Sequence, residues 1–317
     1  MTGIVTPEHI LQDLSKLWVD LAREGGDTGS GVLRACTMTL LVACGESDDA
    51  QAIGEIVARL MPQHPSRAIV VRVTGSREWA LDARVFAQCW KPFGERRHIC
   101  AEEIEITSAE TALADVPPVL LPLPVADLPV VLWCRDLRLM DLPGFAGIAS
   151  LADRMVFDGA AFDRIQAILA QGQRAGDLAW TRLTHWRELI ARIFENRGLA
   201  ALPQVSEVKV KWAAPSAFYL AAWLLDGLRR AGANPRLELD TESPRERRVE
   251  LIAPELHVVV SQCESRCAEI RINNAVNQIM LPEASEYSLM REELAIAGHD
   301  PVFERVLPAA ARLALSS

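Results

Sequence analysis

Apolar residues recur along this chain with two different periods, and the alternation between them predicts a succession of helices and strands. From Thr6 to Arg23, the residues Ile10, Leu14, Leu17, Trp18 and Leu21 fall three or four apart, so they share one face of a helix that Thr6-Pro7 opens. Arg34 to Ala43 and Ser66 to Thr74 are apolar runs of strand length, and Asp48 to Leu60 between them has helical spacing. That order makes a βαβ-like unit and predicts a sheet covered by helices. Ile99 to Thr107 alternates like a half-exposed strand. Pro129 to Trp133 is continuously apolar and reads as central, and Arg154 to Phe157 is a further short strand.

A helix is predicted over Ala161 to Ala170, followed by a candidate linker, Gln171 to Asp177. From Asp177 to Phe194, Leu183, Trp186, Leu189, Ile190, Ile193 and Phe194 form an apolar stripe on what reads as one helix. Val205 to Trp212 alternates as a strand, and Pro215 to Arg230 is an amphipathic helix ended by Gly232. Short strands are predicted at Arg236 to Leu239, Val249 to Ile252, His257 to Val260 and Ala268 to Ile272. Helices at Ser288 to Ala297 and Val302 to Leu315 close the chain, the second broken or restarted at Pro308. The fold class expected is α/β, mixed α/β to α+β, in two domains that each cover a sheet with helices. Residues 1–30 would be an N-terminal helix and flexible linker, 31–160 an N-terminal α/β domain and 161–317 a C-terminal α/β (α+β) domain.

The linker in the first segment rests on the run Glu24 to Gly31. It lacks the Gly-Lys-Ser/Thr ending of a phosphate loop and precedes a strand rather than a helix, so it reads as a flexible connection. The most apolar window, Val116 to Trp133, is interrupted by Pro117, Pro118, Pro122, Pro124, Asp127 and Pro129. A membrane helix broken that often would leave backbone groups unsatisfied, so a loop leading to a buried strand is expected.

With 317 residues, 50% hydrophobic and 24% charged, the composition is that of a soluble globular protein. A net charge of -9 argues against nucleic-acid binding, which needs a basic surface. The first twenty residues, with Asp13 and Asp20, lack the basic and apolar regions of a secretory signal, so a cytoplasmic chain is expected. Its seven cysteines are then expected to be reduced and mostly buried as small hydrophobes. Cys263 and Cys267, four apart, have the spacing of one helix face, but zinc would need two more ligands at recognised spacing.

No nucleophile elbow, His-Glu-x-x-His pair, Walker loop or dinucleotide fingerprint is present. Two places carry candidate chemistry. Asp177, Trp180, Arg182, Thr184, His185 and Arg187 gather at a helix start, where backbone N–H groups and guanidinium forks favour an anion or a partner's carboxylate. His185 is the best single acid/base candidate there, against the commoner reading of a surface histidine. Periodicity turns Trp186 inward, which leaves Trp180, Arg182 and Arg187 as surface candidates of the residue types enriched in binding hot spots. The second place is Trp133, Cys134, Arg135 and Asp136, at the carboxyl end of a central strand where open α/β sheets bind ligands. The alternative there is a core-capping Trp.

Four segments in order carry a family resemblance: His64-Pro65-Ser66-Arg67-Ala68-Ile69-Val70, Leu123 to Trp133, Leu151 to Asp158, and the run Asp177 to Leu189. Together they resemble the OpcA family of glucose-6-phosphate dehydrogenase assembly proteins, well over residues 30 to 230 and loosely beyond. Cys134 departs from the second aromatic that many of those proteins place after the Trp. The resemblance implies a non-catalytic factor without cofactor, in the cytoplasm. It would bind glucose-6-phosphate dehydrogenase, act as an allosteric activator favouring the active oligomer, and support the oxidative pentose phosphate pathway in carbohydrate metabolism. Partner-binding positions would then be Trp180, Arg182, His185, Arg187, Trp133, Arg135 and Asp136, with no nucleic acid and no membrane involved. The alternative is an anion- or sugar-phosphate-binding domain, sensor or enzyme, using the helix start from Asp177 to Arg187.

Overall fold

The most uniformly apolar segments of the chain lie at the middle of a sheet, where both faces are covered. The structure is a computed structural model and describes residues 5–26, 32–76, 78–90, 98–197, 199–242, 247–264, 266–296 and 298–316. It has two mixed sheets in two units, a mixed α/β architecture. One unit comprises residues 1–158 with 172–175, the other residues 159–171 with 176–317. The chain therefore passes from the first unit into the second, returns briefly, and leaves again.

In the first unit the order is α1 (Pro7–Gly26), β1 (Val32–Arg34), β2 (Met38–Gly45), α2 (Ala50–Leu60), β3 (Ser66–Thr74), β4 (Leu81–Trp90), β5 (His98–Ala109), α3 (Val116–Leu120), β6 (Val130–Cys134), α4 (Phe145–Ala149) and β7 (Arg154–Phe157). The sheet runs β1-β5-β3-β2-β6-β7 and ends on β8 (Arg174–Asp177); β4 pairs with β5. The pairs among β1, β5, β3, β2, β6 and β7 are parallel, and β4 is antiparallel to β5. Every residue of β2 and of β6 is buried, as central strands of a covered parallel sheet require. Helix α1 is anchored to β5 by Trp18, whose indole N–H donates to Glu102, itself paired with Arg67.

In the second unit follow α5 (Phe162–Ala170), α6 (Leu178–Thr181), α7 (Thr184–Arg197), β9 (Glu207–Lys211), α8 (Ser216–Arg230), β10 (Arg236–Asp240), β11 (Arg248–Ala253), β12 (Leu256–Glu264), β13 (Cys267–Ile272), β14 (Ala275–Met280), α9 (Glu286–Ala295) and α10 (Pro301–Ser316). Its sheet runs β10-β9-β11-β12-β13-β14, parallel only between β10 and β9. Val208, Val210, Val249, Leu251, Val258 and Val260 share its buried face by register. The opposite face is a lattice of charges. Lys209 pairs with Glu238 at 3.1 Å, Glu250 meets both Arg248 at 2.7 Å and His257 at 3.1 Å, and Arg271 meets Glu269 at 2.9 Å.

Several sequence expectations change. Gln171 to Asp177 is not a linker, because Arg174–Asp177 is the edge strand β8. The single helix expected from Asp177 to Phe194 is two, joined through Arg182 and Leu183. The apolar spacing continues across the join, so period alone does not reveal it. Pro308 does not break α10, whose Phe303, Val306, Leu307 and Ala310 are buried; their packing outweighs one missing hydrogen bond. Within the expected loop after Val116, Pro117 and Pro118 instead occupy the first turn of α3, where no N–H is needed. Gly25 and Gly26 extend α1, while the rest of the expected glycine linker, residues 27–31, lies outside the described residues.

The cysteines are also corrected. Cys89 and Cys100 face each other across β4 and β5 and are bridged, and Cys263 and Cys267 are bridged across the turn between β12 and β13 rather than lying on a helix. Cys36, Cys44 and Cys134 are free. Burial pushes the Cys44 thiol up to about 11 and the Cys134 thiol up to about 12, which keeps both protonated and unreactive. Among the described residues no helix is long and apolar enough to cross a membrane.

Candidate functional site

The carboxyl ends of β3, β2 and β6 form the crevice in which an open α/β sheet usually takes a ligand. Here the local sequence fills it. Asp49 caps α2, accepting from the N–H groups of Gln51 at 2.9 Å and Ala52 at 3.4 Å, so the helix start that would receive an anion already holds a carboxylate. Asp48 accepts from the Gly45 N–H at 2.8 Å and from Arg135 Nε at 3.1 Å, and Arg72 donates to the carbonyls of Gly45 and Asp48. A cavity of 410 Å³ remains above the strands, lined by Glu46, Glu110 and Asp136 together with Arg138.

Of the candidates at this strand exit, Trp133 is 1% exposed and belongs to the core, with the Arg135 guanidinium 4.8 Å from its ring centroid. Asp136 caps the 3-10 turn at Leu137–Asp141 and forms a two-point pair with Arg138 at 2.9 and 2.8 Å; those hydrogen bonds hold its carboxyl below the ordinary carboxylate range. Its Oδ2 lies 2.2 Å from where a Cβ on residue 45 would sit, so the closeness of Asp136 to β2 requires Gly45. The arrangement presents carboxylates where a pyrophosphate would need N–H donors.

In the second unit Asp177 is fully buried. It accepts from the N–H groups of Gly159 and Ala179, each at 2.8 Å, and from the Tyr219 hydroxyl at 3.0 Å. Burial, and then the charge of Asp177, raises the Tyr219 phenol far above its ordinary value, so it stays a donor. Trp180 was expected at the surface, yet it is 3% exposed. Its indole N–H donates to Asp300 at 2.9 Å, and its ring meets Tyr219 and Phe303. Arg187 is not the free surface cation its helix position suggested. Its guanidinium carbon lies 3.5 Å from the Trp180 centroid, and burial pushes it down to about 10. Trp186 is buried, as its spacing implied, with its ring 4.7 Å from that of Trp212 in a T-shaped contact.

Arg182 and His185 remain half-exposed and line a small cavity together with Arg247, Gln262, Cys267 and Pro282. His185 also meets Glu292 at 3.2 Å and Glu188 at 3.5 Å. The cluster read from sequence therefore separates into two. Asp177, Trp180 and Arg187 face inward as structure, while Arg182 and His185 face a cavity whose second arginine, Arg247, lies far along the chain. No local signal could have joined Arg247 to them. Among the described residues no group of three or more His, Cys, Asp or Glu side chains is placed to hold a metal ion.

Comparison with known proteins adds two adjoining family matches. Residues 57–174 match the glucose-6-phosphate dehydrogenase subunit N-terminal domain, and residues 173–307 match the corresponding C-terminal domain. A putative OxPP cycle protein OpcA from Nostoc punctiforme is 25% identical over 162 residues, covering 47% of this chain and 34% of that protein. The protein of the same description from Synechocystis is 26% identical over 175 residues, covering 52% and 37%. The matched region thus spans about a third of the length of these relatives. Among solved structures, a point mutant of KijD10, a 3-ketoreductase from Actinomadura kijaniata in complex with TDP-benzene and NADP, covers 88% of this chain and 96% of its own. It does so at a TM-score of 0.50 and 9% identity, a likeness of fold alone.

Proposed function

The chain belongs to the OpcA family of glucose-6-phosphate dehydrogenase subunits, and from that membership we propose that it is a non-catalytic factor that binds the dehydrogenase and favours its active oligomer. The observation that carries this reading is the pair of consecutive family matches over residues 57–307. By binding the active oligomer better than its dissociated forms, the factor shifts the population by that difference in affinity and so supports oxidative pentose phosphate flux. The crevice of the first unit supports a role without a dinucleotide, because Asp48, Asp49 and Asp136 occupy the positions where phosphate oxygens would be received.

For the partner contact, buried Trp133 and Trp180 offer little surface. We favour β14, the edge strand of the second sheet. All six of its residues are exposed, Val276 at 52% and Met280 at 68%, and its sequence AVNQIM carries no charge and no proline. Such an edge presents unpaired N–H and C=O groups that add to a partner's strand. Mixing the protein with its cognate dehydrogenase tests the reading. A heavier sedimenting complex and a higher specific activity are expected, with no dehydrogenase activity from the protein alone. Unchanged sedimentation and kinetics at micromolar concentrations would refute it.

A further inference from the structure

The two edges of the second sheet are built differently. β10 carries Arg236, Glu238 and Asp240, charges of the kind that keep a strand edge from pairing. β14 carries no charge, and its register on β13 runs without a bulge from Ala275 to Met280. The Leu281 N–H donates to the Arg266 carbonyl at 2.8 Å, which sets the phase of the ladder. Odd-numbered residues of β14 therefore bond toward β13, while Val276, Gln278 and Met280 aim their N–H and C=O groups at the outer edge. The same three side chains share one sheet face, opposite Arg271, Glu269 and Cys267 of β13. The two charges among those neighbours pair with each other at 2.9 Å, so they set neither sign on the seam.

Symmetry narrows what this edge fits. When an antiparallel strand pairs with its own copy about a two-fold axis, one residue must lie opposite itself, because opposed residues share a face. Centred on Gln278, the pairing sets Val276 against Met280 of the second copy, Met280 against Val276, and Gln278 against Gln278. All three outward residues then exchange backbone hydrogen bonds, and the two most exposed apolar side chains of the strand cover each other. Centred on Asn277, Val276 would face Gln278 and Met280 would pass beyond the end of the other strand.

We propose that β14 pairs antiparallel with β14 of a second copy of this chain, about a two-fold axis at Gln278, and so joins two six-stranded sheets into one. A single strand pair buries little area, so the dimer is weak, with a dissociation constant on the order of 10 µM. The pairing concerns the chain alone and goes beyond the dehydrogenase reading; where both hold, the second copy and the dehydrogenase compete for one edge.

The test is sedimentation equilibrium of the full chain, without dehydrogenase, from about 1 to about 200 µM. A reversible monomer to dimer transition is expected. Raising salt should strengthen it, since no ion pair crosses the seam and two chains of net charge -9 repel. Gln278→Lys and Gln278→Glu each set like charges against each other at the axis, so each should weaken association at least about tenfold. Mixing those two variants sets an ammonium against a carboxylate and should restore association, which requires residue 278 to face its own copy. Should either variant fail to fold by circular dichroism, Val276→Glu mixed with Met280→Lys gives the same readout, because those positions face each other across the seam. A monomer over the whole range, variants that associate like wild type, or mixtures that stay monomeric overturn the proposal. Because the dehydrogenase is absent from every cell, those outcomes leave the assembly reading where it stands.

Discussion

Arg187 lies over Trp180, its guanidinium carbon 3.5 Å from the ring centroid, while the same indole donates its N–H to Asp300, the residue that caps α10. One aromatic side chain thus joins the helix that carries Arg187 to the start of the last helix. Arg187→Ala removes a desolvated cation–π contact and the packing of the arginine stem, so it is expected to destabilise by about 2 kcal/mol. Arg182→Ala, in the join between α6 and α7 and half-exposed, should stay within about 0.5 kcal/mol. Urea unfolding monitored by circular dichroism distinguishes them, and equal midpoints would dissolve the distinction between the two arginines.

The charged face of the second sheet should show itself in acid. Burial pushes the Glu250 carboxyl up, but hydrogen bonds from Arg248 and His257 outweigh it and the net shift is downward from 4.5. A carboxylate lowered in the folded state contributes stability that is fully present above its unfolded value and is lost as pH falls through the folded one. Stability should therefore decline below about pH 4.5, with this residue accounting for up to about 1 kcal/mol, since the ion pairs are solvent-facing. Glu250→Gln should flatten that part of the acid limb in melts run from pH 3 to 7 by about the same amount. An unchanged acid limb would mean that other carboxylates dominate it.

For β14, a charge on the free edge is the informative change. Ile279→Lys and Val276→Lys place a solvated ammonium beside unpaired strand groups, a device by which proteins keep edges from pairing. Both positions are exposed, so stability should change by no more than about 0.5 kcal/mol. Affinity for the dehydrogenase should fall by about tenfold or more, read by sedimentation or calorimetry. Wild-type affinity in both variants would move the interface off this strand.

Reduction offers a fourth check. Cys89 and Cys100 are 11 apart in sequence and Cys263 and Cys267 are 4 apart, so both bridges close short loops. Chain-entropy arguments give about 3 and about 2 kcal/mol respectively. Since a chain of this size buries a sufficient core without cross-links, adding reductant should lower the melting temperature while unfolding stays cooperative. Loss of cooperativity would show that a bridge is needed for the fold itself.

Local pattern carried much of this architecture. Ser66 to Thr74 and Arg154 to Phe157 are strands at the boundaries their apolar runs mark, and Trp186 is buried where its spacing with Leu183 and Ile190 puts it. What escaped depends on distant partners. β4 and β14 are only partly apolar, and each is a strand because β5 or β13 offers a ladder. Trp180 reads as surface because its partner Asp300 lies 120 residues away, and Arg182 reads as a partner-facing cation because Arg247, just before β11, lines the same space. Trp and Arg at a helix start are ambiguous in any sequence, since the same chemistry serves a hot spot and a buried cation–π pair.

The interleaving of the two units bears on how the protein can be taken apart. The family boundary falls at residues 173–174, yet α5 lies before it and belongs to the second unit. Phe162 from that helix sets its ring edge against Tyr219 at 5.0 Å and Phe218 at 6.0 Å, and Gly159 donates its N–H to buried Asp177 at 2.8 Å. A recombinant fragment beginning at the family boundary would leave Asp177 short of a donor and the aromatic cluster open on one side. A dissection that keeps the second unit whole must start at residue 159 and carry four residues of the first unit with it.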